Sequence, residues 1–138
     1  LFGTFYCLSK NNETNPIVFI HGVGLTSEIW EPQINFFKKY NTLTYDLPGH
    51  GKTPLTKTQL NFDDYSKQLL NLINELNLNK IHLIGFSLGA LVAREFASEH
   101  SGRLCSLIIH GSIYKRTEEQ KRVVRNRFEV AKMNRPAS

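Results

Sequence analysis

The sequence predicts an α/β fold, a mostly parallel sheet with helices on both faces, from three observations. Short apolar runs alternate with longer stretches of helical periodicity, the pattern of successive βα units. The runs are rich in β-branched and aromatic residues, as expected of strands covered on both faces. The gaps between them are long enough for a crossover helix, which parallel neighbours require.

The elements follow in order. Residues 4–8 read as an antiparallel edge strand, followed by a polar loop over residues 10–15. Ile17–Ile20, after Pro16, is a continuous apolar strand. Residues 27–40 predict a helix, with Trp30, Ile34 and Phe37 at helical spacing. Thr42–Tyr45 is the next strand and ends at Asp46. Residues 63–76 predict a helix with Leu69, Leu70, Ile73 and Leu76 inward and Asn61 or Asp63 as N-cap. Residues 81–84 form a strand ending at Gly85, and residues 87–100 a helix whose Ala90, Val92, Ala93, Phe96 and Ala97 suit close packing on a sheet. Residues 104–109 form the fourth strand of the series and end at His110-Gly111. The last helix, about Glu118–Met133, carries Val124, Phe128 and Ala131 on a narrow stripe amid Arg and Lys, more an exposed cover than a sheet-packed element.

The chain has 138 residues, 41% apolar and 21% charged, which excludes a disordered or collagen-like polypeptide. No apolar run is long enough to span a bilayer, so no membrane association is expected. Cys7 and Cys105 lack the spacing of a disulfide scaffold or a zinc site and read as buried thiols in a reducing compartment, hence a cytoplasmic protein. No metal and no cofactor are expected. The net charge of +5 is uneven: residues 1–102 hold 8 Lys/Arg against 9 Asp/Glu, and residues 103–138 hold 9 against 3. That shift places a boundary after Ile113. Residues 1–113 read as one near-neutral part and residues 114–138 as a separate basic one.

The strongest chemical signal is Gly85-Phe86-Ser87-Leu88-Gly89, a G-x-S-x-G between a predicted strand and a predicted helix. A sharp turn there lifts the serine hydroxyl into the open and needs very small residues two positions before and after it, as Gly85 and Gly89 are. The helix N-terminus adds free N–H groups and the positive end of a dipole. His21-Gly22-Val23-Gly24 follows the first apolar strand. Acyl transfer needs two N–H donors for an oxyanion, one from the residue after the nucleophile and one from an earlier loop, which points to Leu88 and Val23. Gly22 and Gly24 let that loop approach closely, and His21 supports it. The alternative is a Gly-rich turn with a buried, hydrogen-bonded His21. Asp46-Leu47-Pro48-Gly49-His50-Gly51 reads as a tight structural turn without catalytic content.

These three blocks, in this order at these strand ends, resemble the α/β-hydrolase superfamily, over about residues 5–113. The resemblance implies a three-layer α/β-hydrolase fold, incomplete at its C-terminus, with Ser87 as nucleophile, a Val23/Leu88 oxyanion hole, residues 1–113 as the N-terminal part of the core and residues 114–138 as the truncated start of a helical cap after the fourth strand of the series. It also implies a serine hydrolase of carboxylic esters, lactones or related acyl compounds, with a small-molecule substrate. A hydrolase of C–C bonds in ring-cleavage products and a non-catalytic hydrolase-fold binding protein are the alternatives.

A serine nucleophile needs a base oriented by a carboxylate, and in this superfamily the order is Ser, acid, His. No Asp follows Ser87, and only His100 and His110 do. Glu95, Glu99 and His100 lie turns away along the helix. His110, like Phe86, is a candidate for lining the site rather than for the base. The acid and base are therefore expected beyond this chain, about half of a full enzyme, and this portion alone is expected to be inactive. A phosphate-binding loop is discounted for want of its motif. Nucleic-acid binding is discounted because Phe128 is the lone aromatic residue among the basic residues 116–135.

Overall fold

The computed structural model describes residues 3–113 and 115–133. Among these, β1 (Tyr6–Ser9), β2 (Ile17–Ile20), β3 (Thr42–Tyr45), β4 (Ile81–Phe86) and β5 (Leu104–His110) make one sheet in the order β1-β3-β2-β4-β5. Only β1 runs antiparallel, against β3, so the sheet is mostly parallel, as the sequence predicts. Two strands run beyond their predicted ends: β4 continues through Phe86 and β5 through His110, since Gly85 and Phe86 pair with Ile109 and His110.

Parallel pairing puts alternate residues of neighbouring strands on one face. Val18 and Ile20 of β2 sit beside Leu43 and Tyr45 of β3, and Leu83 of β4 joins them. Helices α2 (Phe62–Glu75) and α3 (Leu88–His100) cover this face with Leu69, Leu72, Ile73, Val92, Ala93 and Phe96, all fully buried. Leu72 takes a core position that the sequence left out, while Leu70 and Leu76 only pack on its rim. On the opposite face Phe19 packs against Trp30, with ring centroids 4.9 Å apart and the rings tilted by 44°.

The helix predicted over residues 27–40 is broken. It is a 3-10 turn at Ser27–Trp30 followed by the six-residue α1 (Glu31–Phe36), with Pro32 in the first turn of α1. Proline has no N–H to continue the preceding turn but suits a helix start, so the helix begins anew at this point. Asn61 caps α2 by accepting from Asp64 N–H, and the Asp64 carboxylate accepts the Asn61 N–H in return. Asn77, in left-handed conformation, ends α2 with paired bonds from Asn77 N–H to Asn74 and from Leu78 N–H to Ile73. Arg103 fastens that turn through the Asn79 and Leu78 carbonyls and the Asn74 side chain.

The two cysteines correct the sequence reading: Cys7 and Cys105 are free and exposed, not buried. They lie on β1 and β5, the two edge strands of the sheet, whose faces are less covered than those of the central strands. Helix α4 (Glu118–Met133) matches its predicted bounds and carries Val124 and Phe128 exposed. No helix among the described residues is long and apolar enough to cross a membrane.

Candidate active site

The carboxyl ends of β2 and β4 lie side by side, with Ile20 paired to Gly85. Three residues beyond each partner stand Val23 and Leu88, so equal offsets carry the loop after β2 and the turn after β4 to one place. Contact between them is close: a Cβ on Gly22 would lie 3.1 Å from the Ser87 Cβ. Ligands gather at such carboxyl ends in parallel sheets.

Ser87 is the junction between β4 and α3, and its backbone is strained. Its φ of 55° and ψ of −116° fall where L-residues rarely go, and among described non-glycine residues only Asn77 shares a positive φ. It occupies the N-cap position of α3, yet its side chain makes no capping bond. Its amide donates to the His110 carbonyl at 3.0 Å and its carbonyl accepts from Ala90 N–H. The backbone is therefore anchored on both sides, while the hydroxyl of half-buried Ser87 has no hydrogen-bond partner among the described residues. The glycines around it are required by space. A Cβ on Gly85 would sit 2.2 Å from the Gly89 carbonyl oxygen, and one on Gly89 would sit 2.2 Å from the Ile20 carbonyl oxygen.

Neither the Val23 nor the Leu88 N–H has an acceptor among the described residues. For Leu88 this follows from its place at the first turn of α3, where amides have no intrahelical partner. Gly24 departs from the close-approach argument: nothing lies within 4 Å of a Cβ there, and its φ of +73° is what calls for glycine.

His21 is fully buried and held on both ring nitrogens: Nδ1 donates to the Gly22 carbonyl at 2.7 Å, and Nε2 accepts the Leu47 N–H at 3.0 Å. That pattern requires the neutral ring. Burial pushes its pKa down, the nearby His50 adds to this, and the Gly22 bond and Asp46 oppose it without prevailing. The Asp46 turn, which the sequence left as merely structural, is the other half of this scaffold. Its carboxylate accepts the Ser27 N–H at 2.7 Å and the Lys52 N–H at 2.9 Å. Burial alone would raise the Asp46 pKa, but the amides of Lys52 and Ser27, the Ser27 hydroxyl and His21 together hold it below the usual carboxylate range. Gly51 is the signal that marked this role, because a Cβ there would lie 2.2 Å from Asp46 Oδ2.

Acid should loosen this scaffold. A histidine whose folded pKa is depressed contributes fully above its unfolded value, about 6.5, and that contribution is lost as pH falls below it. Asp46 contributes above about pH 4 and weakens below that. Urea midpoints of the full-length protein are expected to drop between about pH 7.5 and about pH 5, and to drop less in His21→Gln. An equal drop in both proteins would show that another group is responsible.

A cavity of about 220 Å³ opens beside Ser87, lined by Val23, Ser87, Leu88, Leu91, Gly111, Ile113 and Arg116. Of the sequence candidates, Val23, Ser87 and Leu88 line it. Phe86 and His110 instead stack on each other beside it, with centroids 5.5 Å apart. Arg116 was not singled out from the sequence, where it is one cation in a basic stretch. No histidine reaches the Ser87 hydroxyl: His82 bonds Ser106, His50 bonds Pro48, and His100 and His110 contact Phe96 and Phe86. No group of His, Cys, Asp and Glu among the described residues could hold a metal ion.

Comparison with known proteins agrees with this architecture. The chain is 32% identical over 124 residues to (E)-2-((N-methylformamido)methylene)succinate hydrolase of Acinetobacter baylyi, an overlap covering 89% of this chain and 47% of that protein. It is 36% identical over 102 residues to a pimeloyl-(acyl-carrier protein) methyl ester esterase of Legionella pneumophila, covering 73% and 39%. In structure it superimposes with a TM-score of 0.86, at 27% identity, on a carboxylesterase of the thaumarchaeon Nitrososphaera gargenis, covering 95% of this chain and 50% of that one. The chain thus spans about half the length, or less, of the proteins it matches. The profile of the α/β hydrolase fold matches residues 15–133, and the chain belongs to that family.

Proposed function

We propose that the protein is a serine hydrolase of carboxylic esters or lactones, working through an acyl-enzyme on Ser87. The observation that carries this is the Ser87 conformation: a positive φ, an uncapping side chain and obligatory small neighbours, all of which serve to present a hydroxyl. The relatives that bear esterase names support the substrate class.

In the first step Ser87 Oγ attacks the carbonyl carbon and its proton passes to a base. The Val23 and Leu88 amides hold the charge on the carbonyl oxygen, aided by the positive end of α3. The bond to the leaving oxygen then breaks, and that oxygen departs with the proton. Water repeats the sequence on the acyl-enzyme and releases the acid. The base and its carboxylate are assigned to the remainder of the protein, because no described histidine ring is hydrogen-bonded to the Ser87 hydroxyl and the matched relatives are about twice as long. Residues 114–138 are read as the start of a cap over this site.

The test is a fluorophosphonate probe on the full-length protein. A covalent adduct is expected on Ser87, absent from Ser87→Ala. A folded protein that gains no adduct would favour the non-catalytic binding alternative. An adduct without turnover of any ester or lactone would favour the C–C bond hydrolase.

A further inference from the structure

We propose that Arg116 makes the Ser87 cavity selective for acyl groups that end in a carboxylate. The inference rests on the Ser87 reading and adds the substrate's chemistry to it. The walls of the cavity explain why. Val23, Leu88, Leu91 and Ile113 are apolar, Ser87 stands among them, and Arg116 is the one charged residue among its described lining. A short methylene chain fits such walls, and the cation in the cavity lining pairs with an anion at the chain's far end.

Arg116 is available for that task. The nearest acids in sequence, Glu118 and Glu119, are engaged by Lys121 and Arg122. No ion pair among the described residues involves Arg116. Its backbone position is fixed by the start of α4, where Thr117 Oγ1 accepts the Gln120 N–H and Gln120 Oε1 accepts the Thr117 N–H. The N-terminus of α3 adjoins this cavity through Ser87 and Leu88 and adds to its positive potential. A guanidinium pairs a carboxylate with two parallel N–H donors. One cation among apolar walls balances a monoanion, whereas a phosphate ester carries more charge than Arg116 alone offsets.

The experiment compares kcat/KM of the full-length protein on methyl hemisuccinate, hemiglutarate and hemiadipate with that on the corresponding primary amides, their neutral isosteres. The hemiesters are expected to be preferred by roughly 10- to 100-fold at one chain length, and the preference to shrink with added salt. Arg116→Gln should lower kcat/KM on the hemiesters far more than on the amides while leaving the melting temperature unchanged, and Arg116→Lys should restore part of the preference. Equal turnover of hemiester and amide, or an equal loss on both in Arg116→Gln, overturns the inference alone. Preference for a phosphonate-ended methyl ester over the carboxylate overturns the carboxylate assignment. No turnover of any ester and no fluorophosphonate adduct overturns the Ser87 reading and this inference with it.

Discussion

Ser87→Gly in the full-length protein is expected to abolish ester hydrolysis, by about 10,000-fold or more, while raising stability. The two effects share one cause. A residue with φ 55° and ψ −116° carries strain on the order of 1–3 kcal/mol while it keeps a Cβ. Glycine relieves that strain and gives back roughly 0.5–1 kcal/mol through the greater freedom of its unfolded chain. A net gain of about 1 kcal/mol should appear in urea unfolding. Ser87→Ala should be equally inactive without the gain, because alanine retains the Cβ. Unchanged hydrolysis in either variant would remove Ser87 from the chemistry, and equal stability of both would show that the elbow is unstrained.

The second large effect falls on Gly89. Alanine there would place a Cβ 2.2 Å from the Ile20 carbonyl oxygen and 2.5 Å from that of His21, both backbone atoms at the end of a central strand. Neither can retreat without opening the junction between β2 and β4. The expected cost of Gly89→Ala is about 3 kcal/mol or more, at the upper end for overpacking. The fluorophosphonate adduct should be lost along with stability, since the same shift displaces Ser87 from the loop after β2. Gly102→Ala is the control: a Cβ there meets nothing within 4 Å, and the expected change is within about 0.5 kcal/mol. A Gly89→Ala protein as stable as the Gly102→Ala control would show that the packing yields more readily than its geometry indicates.

Local pattern made much of the molecule legible. Ile17–Ile20 and Thr42–Tyr45 were readable because a strand buried on both faces must be apolar or β-branched throughout. Helix α4 was readable because its periodicity and its charged residues are local features of the sequence, and most of its described side chains are exposed. The misreadings share a different origin. The helix over residues 27–40 looked continuous from Trp30, Ile34 and Phe37, but apolar spacing does not register the amide that Pro32 lacks. Cys7 and Cys105 looked like core residues because a thiol is apolar, and which strands form the edges of a sheet is not a local property.

The site divides in the same way. The sequence alone determined that residues 85–89 make a tight strand-to-helix turn around a serine, because Gly85 and Gly89 are the residues without a Cβ that such a turn needs. It could not assign work to Asp46, whose ligands Ser27 and Lys52 come from separate loops, nor pick Arg116 from a run of cations. The Asp46 contacts exist only once the fold brings the loops after β2 and β3 together, and Arg116 meets the Ser87 cavity only beyond the end of β5. A backbone conformation is fixed by neighbours along the chain, whereas a partner or a cavity wall is fixed by neighbours in space.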